Sequence, residues 1–377
     1  MRFELDEELS AVRELAERIF AGQSSAERVR EVADDTGYDA ALWRTLGEAG
    51  LTGVALPERD GGAGLGMLGL VILLEQQGRR LGQVPLCAAI ATAALPVAEF
   101  GTAGQRAAWL PGIVAGTALL TGSVEPGVTA RREGPGWVLD GELPSVPAAG
   151  VADAIVLAAD TGDKIRGVFI VPATRSGVEL TAVRPTSQES HAAVNLTGVR
   201  IGEQEHLSDR RGREVADWMT ARTRVALAAV QLGVCSEALR LTAGYTSQRE
   251  QFGRPLSTNQ AVAVRAADAY LDVQSIRLTT HRAAWLLDTA DQDGADAAAA
   301  VLVAKWWASE GGLRVVHTSQ HLHGGIGADI DYPVHRYFLW GRQIAFTLGG
   351  ANAIAAELGD LLGTPPVSPA GNAVTTG

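Results

Sequence analysis

The residues best suited to chemistry lie where one long apolar-periodic stretch ends and the next begins. They read Tyr245-Thr246-Ser247-Gln248-Arg249-Glu250-Gln251-Phe252-Gly253-Arg254-Pro255-Leu256, followed by Asn259-Gln260-Ala261-Val262. A guanidinium at such a corner can hold a diphosphate through bidentate, charge-assisted hydrogen bonds. A phenylalanine beside it can stack on a purine, and Gly253 and Pro255 supply the turn between two helices. The same residues also suit a plain helix–helix turn with a solvated Arg249. The spacing alone leaves both readings open.

Two other patterns invite chemistry and fail on context. Gly64-Leu65-Gly66-Met67-Leu68-Gly69 matches G-x-G-x-x-G, which cradles a dinucleotide only when a strand precedes it and an acid follows about 20 residues on. The nearest strand-like run, Val54-Ala55-Leu56, ends well upstream, and no acid occurs between Glu75 and Glu99. The stretch reads as the glycine-rich opening of a helix. His317 and His321 stand four apart, as a metal pair on one helix face would, with His323 nearby. No Glu lies between them and no neighbouring carboxylate completes a ligand set, so no metal site is expected.

The elements that must position the Arg249 corner fall into three regions. Over residues 1–118 apolar side chains recur at helical spacing: Ala11, Leu15 and Ile19, then Leu42, Leu46 and Leu51, then Leu68, Val71 and Leu74. Pro57, Gly61, Gly62 and Pro111 break these helices apart. Over 119–207 the pattern becomes short strands. Trp137-Val138-Leu139 runs into Asp140-Gly141, a hairpin signal, and Ile155–Leu157, Val168–Val171, Val194–Leu196 and Val199–Ile201 are compact β runs. Over 208–363 four long helices are predicted, near 214–247, 258–290, 295–323 and 334–362, and 364–377 reads as a loose tail. The fold class is therefore α+β: an N-terminal helical domain, a small β-barrel or sandwich, and a four-helix bundle. Ala-rich helices of about 45 Å, at about 1.5 Å per residue, need a partner for their second face, so an oligomer is expected.

Composition narrows the partners. Asp and Glu total 43 against 32 Lys and Arg, a net charge of −11 with no basic block, which disfavours nucleic acid and anionic membrane. At 46% hydrophobic and 20% charged residues the chain is a folded globular protein. Cys87 and Cys235 cannot make a disulfide framework, which suits a reducing compartment. The acidic start, Glu4-Leu5-Asp6-Glu7-Glu8, is unlike a signal peptide. The longest apolar run noted, 64–74, is short of the roughly 20 residues a membrane span needs. A cytoplasmic protein is expected.

The Arg249 stretch resembles the signature of the acyl-CoA dehydrogenase family, Arg-x-x-Phe-Gly-x-x-(apolar)-x-x-x-Gln. Trp43 through Leu51, Pro57-Glu58 and Gly61-Gly62-Ala63-Gly64 resemble its amino-terminal run. Gly324-Gly325-Ile326-Gly327, Tyr332-Pro333 and Arg336-Tyr337 resemble its carboxy-terminal one. The resemblance covers residues 1 to about 362. It implies an FAD enzyme in which a carboxylate takes the α-proton of an acyl-CoA while the flavin takes the β-hydride. One chain cradles the flavin ring and supplies the base, and its neighbour holds the pyrophosphate and adenine.

Transferred residue by residue, the neighbour-facing half is kept. Arg249, Gln251 and Phe252 match the diphosphate and adenine contacts, and Asn259 and Gln260 a second flavin contact. His321 stands where the family has Gln, and Gly324 and Gly325 leave the backbone open to phosphate. The self-facing half is not kept. Val124 replaces the threonine hydroxyl beneath the ring, and Ser145 replaces the tryptophan that packs on it, in a segment interrupted by Pro144 and Pro147. The two base positions of the family are occupied by Gly349 and, 26 residues before Arg249, by Thr223. Gly349 and Gly350 would be a costly pair inside the last predicted helix. No catalytic residue is therefore assigned. The resemblance implies the base-lacking subunit of an α2β2 enzyme, of the type acting on steroid-CoA thioesters in bacterial side-chain breakdown. A paralogous subunit would carry the catalytic Glu, and an electron-transfer flavoprotein would be the acceptor. Two alternatives remain at this point: a complete homotetrameric flavoenzyme with a relocated base, and a non-catalytic scaffold of the same fold.

Overall fold

The computed structural model describes residues 5–162, 165–207, 212–251, 253–289 and 294–363. Phe252 and the expected tail 364–377 lie outside the described residues.

The first region folds as helices with side-chain caps where the sequence supplies them: α1 (Glu7–Gln23), α2 (Ala26–Asp34) and α3 (Ala40–Glu48) open on Asp6, Ser25 and Asp39. The central α4 (Gly66–Arg80) is buried along most of its length. A π-helical segment Cys87–Ala94 runs into α5 (Leu95–Phe100), and α6 (Ala103–Val114) opens on a Thr102–Gln105 capping box.

The decoy glycine motif opens α4, as its sequence context implied. No strand leads into it. Its N-terminal amides are held instead by Asp288, whose carboxylate accepts from Met67 N at 2.8 Å and Leu68 N at 3.0 Å.

Seven strands follow: β1 (Leu120–Ser123), β2 (Val128–Glu133), β3 (Gly136–Pro147), β4 (Ala154–Gly162), β5 (Ile165–Pro172), β6 (Val178–Val183) and β7 (His191–Ile201). They form one mixed sheet in the order β1-β4-β2-β3-β7-β6, with β5 on β4. Strand β4 shows why this sheet is wedged between helices. Its Ile155, Leu157 and Ala159 enter the β core, whereas Ala154, Val156 and Ala158 enter the helical core, so both faces are dry. One expectation is corrected here. Asp140-Gly141 is not a hairpin turn. Strands β2 and β3 pair from Val128–Gly141 to Glu133–Gly136, which places the turn at Gly134-Pro135. Asp140-Gly141 is instead a bulge in β3 against β7, where Asp140 Oδ1 accepts from Gly198 N at 2.7 Å.

The last region holds α7 (Gly212–Gln248), the two-residue strands β8 (Glu250–Gln251) and β9 (Arg254–Pro255), α8 (Gln260–Thr289), α9 (Ala295–His323), α10 (Val334–Phe346) and α11 (Ala351–Gly363). Helices α4 and α7 cross at glycines: a Cβ on Gly78 would lie 2.1 Å from Val230 O, and one on Gly233 2.0 Å from Glu75 O. Helix α7 is also long and apolar enough to cross a bilayer, which corrects the expectation drawn from 64–74. Most of its apolar window, 72%, is buried inside the protein, as in any core helix.

The expected fourth long helix is two helices. Leu348 and Gly349 take φ of 53° and 107°, a left-handed corner that no helix continues through. The glycine pair thus makes a break rather than sitting inside a helix. Lys305, fully buried on α9, holds the preceding turn: its ammonium donates to Ser309 Oγ at 2.6 Å, Ile344 O at 3.2 Å and Ala345 O at 3.4 Å. Burial, and then Arg224 nearby, push this lysine down to about 7.

Candidate functional site

The Arg249 corner is rigid in its backbone and open in its side chains. Arg249 N donates to Tyr245 O at 2.8 Å, and Leu256 N donates back to Arg249 O at 2.9 Å, so β8 and β9 form a small clasp between α7 and α8. Asn259 Oδ1 accepts from Ala261 N at 3.0 Å and thereby caps α8, a structural duty that leaves its amide nitrogen free to donate. Gln251 Nε2 donates to Glu250 O at 3.0 Å. Arg249, Gln251, Asn259 and Gln260 are all exposed. Among the described residues the Arg249 guanidinium has no hydrogen-bond or ion-pair partner, and neither has that of Arg254, which the sequence reading passed over. Two unpaired guanidinium groups on one hairpin of an acidic chain are a donor set for an anion with several oxygens.

The end of α9 joins the same corner. Tyr245 stacks on His323 with ring centroids 4.6 Å apart, and Tyr332 closes on His323 at 5.3 Å. His323 is buried, with Nδ1 at 2.7 Å from Ser319 O, and burial lowers its basicity. This stack sets the 321–325 turn beside the last turn of α7. His321, Gly324 and Gly325 are exposed, and a Cβ on either glycine would meet nothing within 4 Å. The open space lies outside this chain. The neighbour to His321, Gln320, turns inward, with a buried Oε1. Among the described residues no group of three His, Cys, Asp or Glu could hold a metal ion, and His317 packs on the Phe338 ring instead.

A second feature lies between the sheet and the helices: a cavity of about 630 Å³. Val124, Ser145, Thr223 and Leu348, the neighbour of Gly349, all line it. The positions at which the resemblance implied missing ring contacts and a missing base therefore converge on one space. No residue of the Arg249 corner lines it. Thr223 is 7% exposed, donates to Met219 O at 2.8 Å and lies 2.9 Å from Thr92 Oγ1, so its hydroxyl is spent on structure. Ser145 Oγ is 2.8 Å from His191 Nδ1.

Sequence reasoning missed three groups in this cavity: Gln77, Glu189 and His191. Burial pushes the Glu189 carboxyl up to about 7, against the opposing pull of the Ser187 hydroxyl, and pushes His191 down to about 4. Burial, then Glu189, push the Cys87 thiol up to about 12. Nothing in Pro185-Thr186-Ser187-Gln188-Glu189-Ser190 announces an interior carboxylate, since such a run reads as a solvated turn. Only the docking of that turn, through Ser190 N to Gly37 O at 2.9 Å and Ala148 N to Ser190 O at 2.7 Å, brings it inside.

The sequence profile of the acyl-CoA dehydrogenase N-terminal domain matches residues 6–117, and that of the C-terminal domain matches 210–359. The chain belongs to the acyl-CoA dehydrogenase family, FAD-dependent oxidoreductases acting on CH–CH bonds. It is 37% identical over 345 residues to acyl-CoA dehydrogenase FadE27 of Mycobacterium tuberculosis, covering 87% of this chain and 90% of that one. Among solved structures, a variant of the Tcur3481–Tcur3483 steroid ACAD superposes with a TM-score of 0.88 at 45% identity, over 94% of this chain and 98% of that one. The ChsE4–ChsE5 complex of Mycobacterium tuberculosis gives 0.92 at 36% identity, over 97% of this chain and 100% of that one.

Proposed function

We propose that this chain is the base-lacking subunit of a heteromeric, α2β2 acyl-CoA dehydrogenase, lending its Arg249 corner to FAD held mainly by a paralogous subunit. One observation carries the reading: Arg249, without a partner among the described residues, is exposed at a corner that shares no residue with the chain's own cavity, which has Val124, Ser145 and Thr223 where the resemblance puts the ring contacts and a base. The donor set fits the diphosphate of FAD, which when bound supplies the hydride acceptor. Arg249 would bind the diphosphate, with His321 and the side-chain-free backbone of Gly324 and Gly325 beside it. Gln251, Asn259 and Gln260 would donate to the rest of the nucleotide. The Tyr245–His323 stack orients the two halves of this cradle relative to each other. The proton is taken by the partner's carboxylate. The substrate class proposed is a steroid-CoA thioester, supported by the likeness to a steroid ACAD and a two-protein complex; the acceptor proposed is an electron-transfer flavoprotein, as the family resemblance implies.

The test is flavin per chain, measured for this chain alone and with its genomic neighbour. The reading requires little flavin alone and about one FAD per two chains together, a ratio set by one intact half-site on each. One FAD per chain from this protein alone would sink it. Glu189 favours a second reading, a complete flavoenzyme with this carboxyl as relocated base, because its raised basicity suits proton abstraction near neutral pH.

A further inference from the structure

We propose that the outward face of α8 is a self-complementary interface, on which α8 of a second copy of this chain lies antiparallel about a two-fold axis at Ser275. The inner face of α8 is packed into the bundle through Ala269, Val273, Ile276, Ala283 and Ala284. The outer face carries large apolar side chains: Val264 is 51% exposed, Leu271 63% and Leu278 51%. These stand at every seventh residue, and Trp285, partly exposed, is the next step of the series. Single exposed apolar residues are ordinary. A seam of period seven along about 32 Å of helix, at about 1.5 Å per residue, is the pattern by which one helix meets another.

Charge names the occupant and its direction. Asp268 and Arg282 each stand four residues after a seam residue, Val264 and Leu278, and so share one flank of the seam. Both are exposed, and among the described residues neither has an ion-pair or hydrogen-bond partner. In an antiparallel pair of α8 helices, Asp268 of each copy meets Arg282 of the other when the axis passes midway between them, at Ser275. The apolar seam has its own midpoint between Gln274 and Ser275. The same axis therefore sets Leu271 beside Leu278 of the second copy, and Val264 beside its Trp285. Two independent centres coincide, as a surface that must match itself requires. A parallel pair puts each charge level with its own copy and gains nothing. Arg277, on the other flank near the axis, is already neutralised by Glu75, which accepts from it at 3.0 and 3.2 Å.

The contact uses no residue of the Arg249 corner or of the cavity, and it holds whichever chain carries the flavin. With the axis at Ser275, the two Gln260 ends of α8 lie about 45 Å apart, at about 1.5 Å per residue. Each copy thus offers its corner to a separate flavin.

The experiment is sedimentation velocity on the purified full chain, without any partner, over the micromolar range. Wild type should self-associate, and Leu271→Asp, which sets a carboxylate into the seam of each copy, should abolish this while circular dichroism shows a folded chain. Asp268→Arg and Arg282→Asp should each raise the dissociation constant by about 5- to 30-fold, because each turns two cross-copy attractions of surface ion-pair size into repulsions. Mixed in equal amounts, these two variants should associate with near wild-type affinity, since each supplies the charge the other now needs. That rescue belongs to an antiparallel contact between copies and to no other occupant. A monomeric wild type, unaltered association in folded Leu271→Asp, or a mixture no tighter than either variant alone would each overturn the proposal. A wild type that is monomeric by itself, with Leu271→Asp releasing the paralogous subunit from the complex, would give this face to that subunit and overturn it as well.

Discussion

The ring of Tyr245 lies 4.6 Å from that of His323 with 23° between their planes, and this stack couples the end of α7 to the end of α9. It explains how two motifs some 70 residues apart in the chain can serve one ligand. The Arg249 clasp is the continuation of one helix, and the 321–325 turn is the end of the other.

Arg249→Ala should weaken FAD affinity of the assembled complex by about 10- to 150-fold, since charge-assisted hydrogen bonds are worth about 1.5–3 kcal/mol and a decade about 1.4. Arg249→Lys should recover only part, because an ammonium lacks the planar fork. Among the described residues the exposed side chain has no partner, so thermal stability of the apo chain should not move. Wild-type FAD affinity in Arg249→Ala would return the corner to a plain helix turn.

Tyr245→Ala should act on the same affinity without touching the anion. It removes the stack on which the 321–325 turn rests, and we expect a loss of about tenfold, with an unfolding cost of about 1 kcal/mol for the lost ring pair. Equal FAD titrations for wild type and variant would mean that the two ends of the cradle are set independently.

Glu189→Gln separates the two subunit readings. Removing a general base costs about 100- to 10,000-fold in turnover. With the base on the partner, the assembled enzyme should lose less than that. A larger loss at saturating FAD would make this chain catalytic.

The fold class was legible because helical and strand periods are long-range repeats, and a chain of Leu68, Val71 and Leu74 or of Ile155 through Leu157 leaves few alternatives. The corner was legible because Arg249, Gly253 and Pro255 carry turn chemistry and charge together. Two local readings failed for one reason. Asp140-Gly141 and Gly349-Gly350 each carry a strong local signal, but which of several turns the chain takes is settled by what packs around it: Gly198 and β7 at the first, Lys305 and Ile354 at the second. Gln77 and Glu189 were invisible, because an interior position for a polar side chain is a property of docking rather than of spacing.

Lys305 should impose a pH dependence on stability. Its folded value, about 7, lies below the ordinary lysine range near 10.5, so between these limits the unfolded chain binds more protons than the folded one. Stability should therefore rise with pH from about 7 towards 10, and below about 7 this contribution should be flat at its least favourable. Lys305→Met should remove the slope. Urea unfolding of both proteins from pH 6.5 to 9.5 measures it, and parallel curves would show that the ammonium is not penalised by its burial.

Gly349→Ala tests whether the corner at the cavity edge is a built break. The residue sits at φ 107°, and an added Cβ would lie 2.9 Å from Ile354 Cδ1, a contact real side chains do not make. Left-handed strain at a non-glycine residue costs about 1–3 kcal/mol. The end of the Ile354 side chain can yield a little, so the backbone sets most of the penalty. The variant should unfold at lower urea by an amount in that range. Turnover of the assembled enzyme should change little, because no titratable group is lost at a position that carries none. Unchanged stability would mean that Thr347–Gly350 relaxes into a continuous helix, and with it that Leu348 need not line the cavity. A collapse of turnover with flavin retained would instead place chemistry at this corner and end the base-lacking reading.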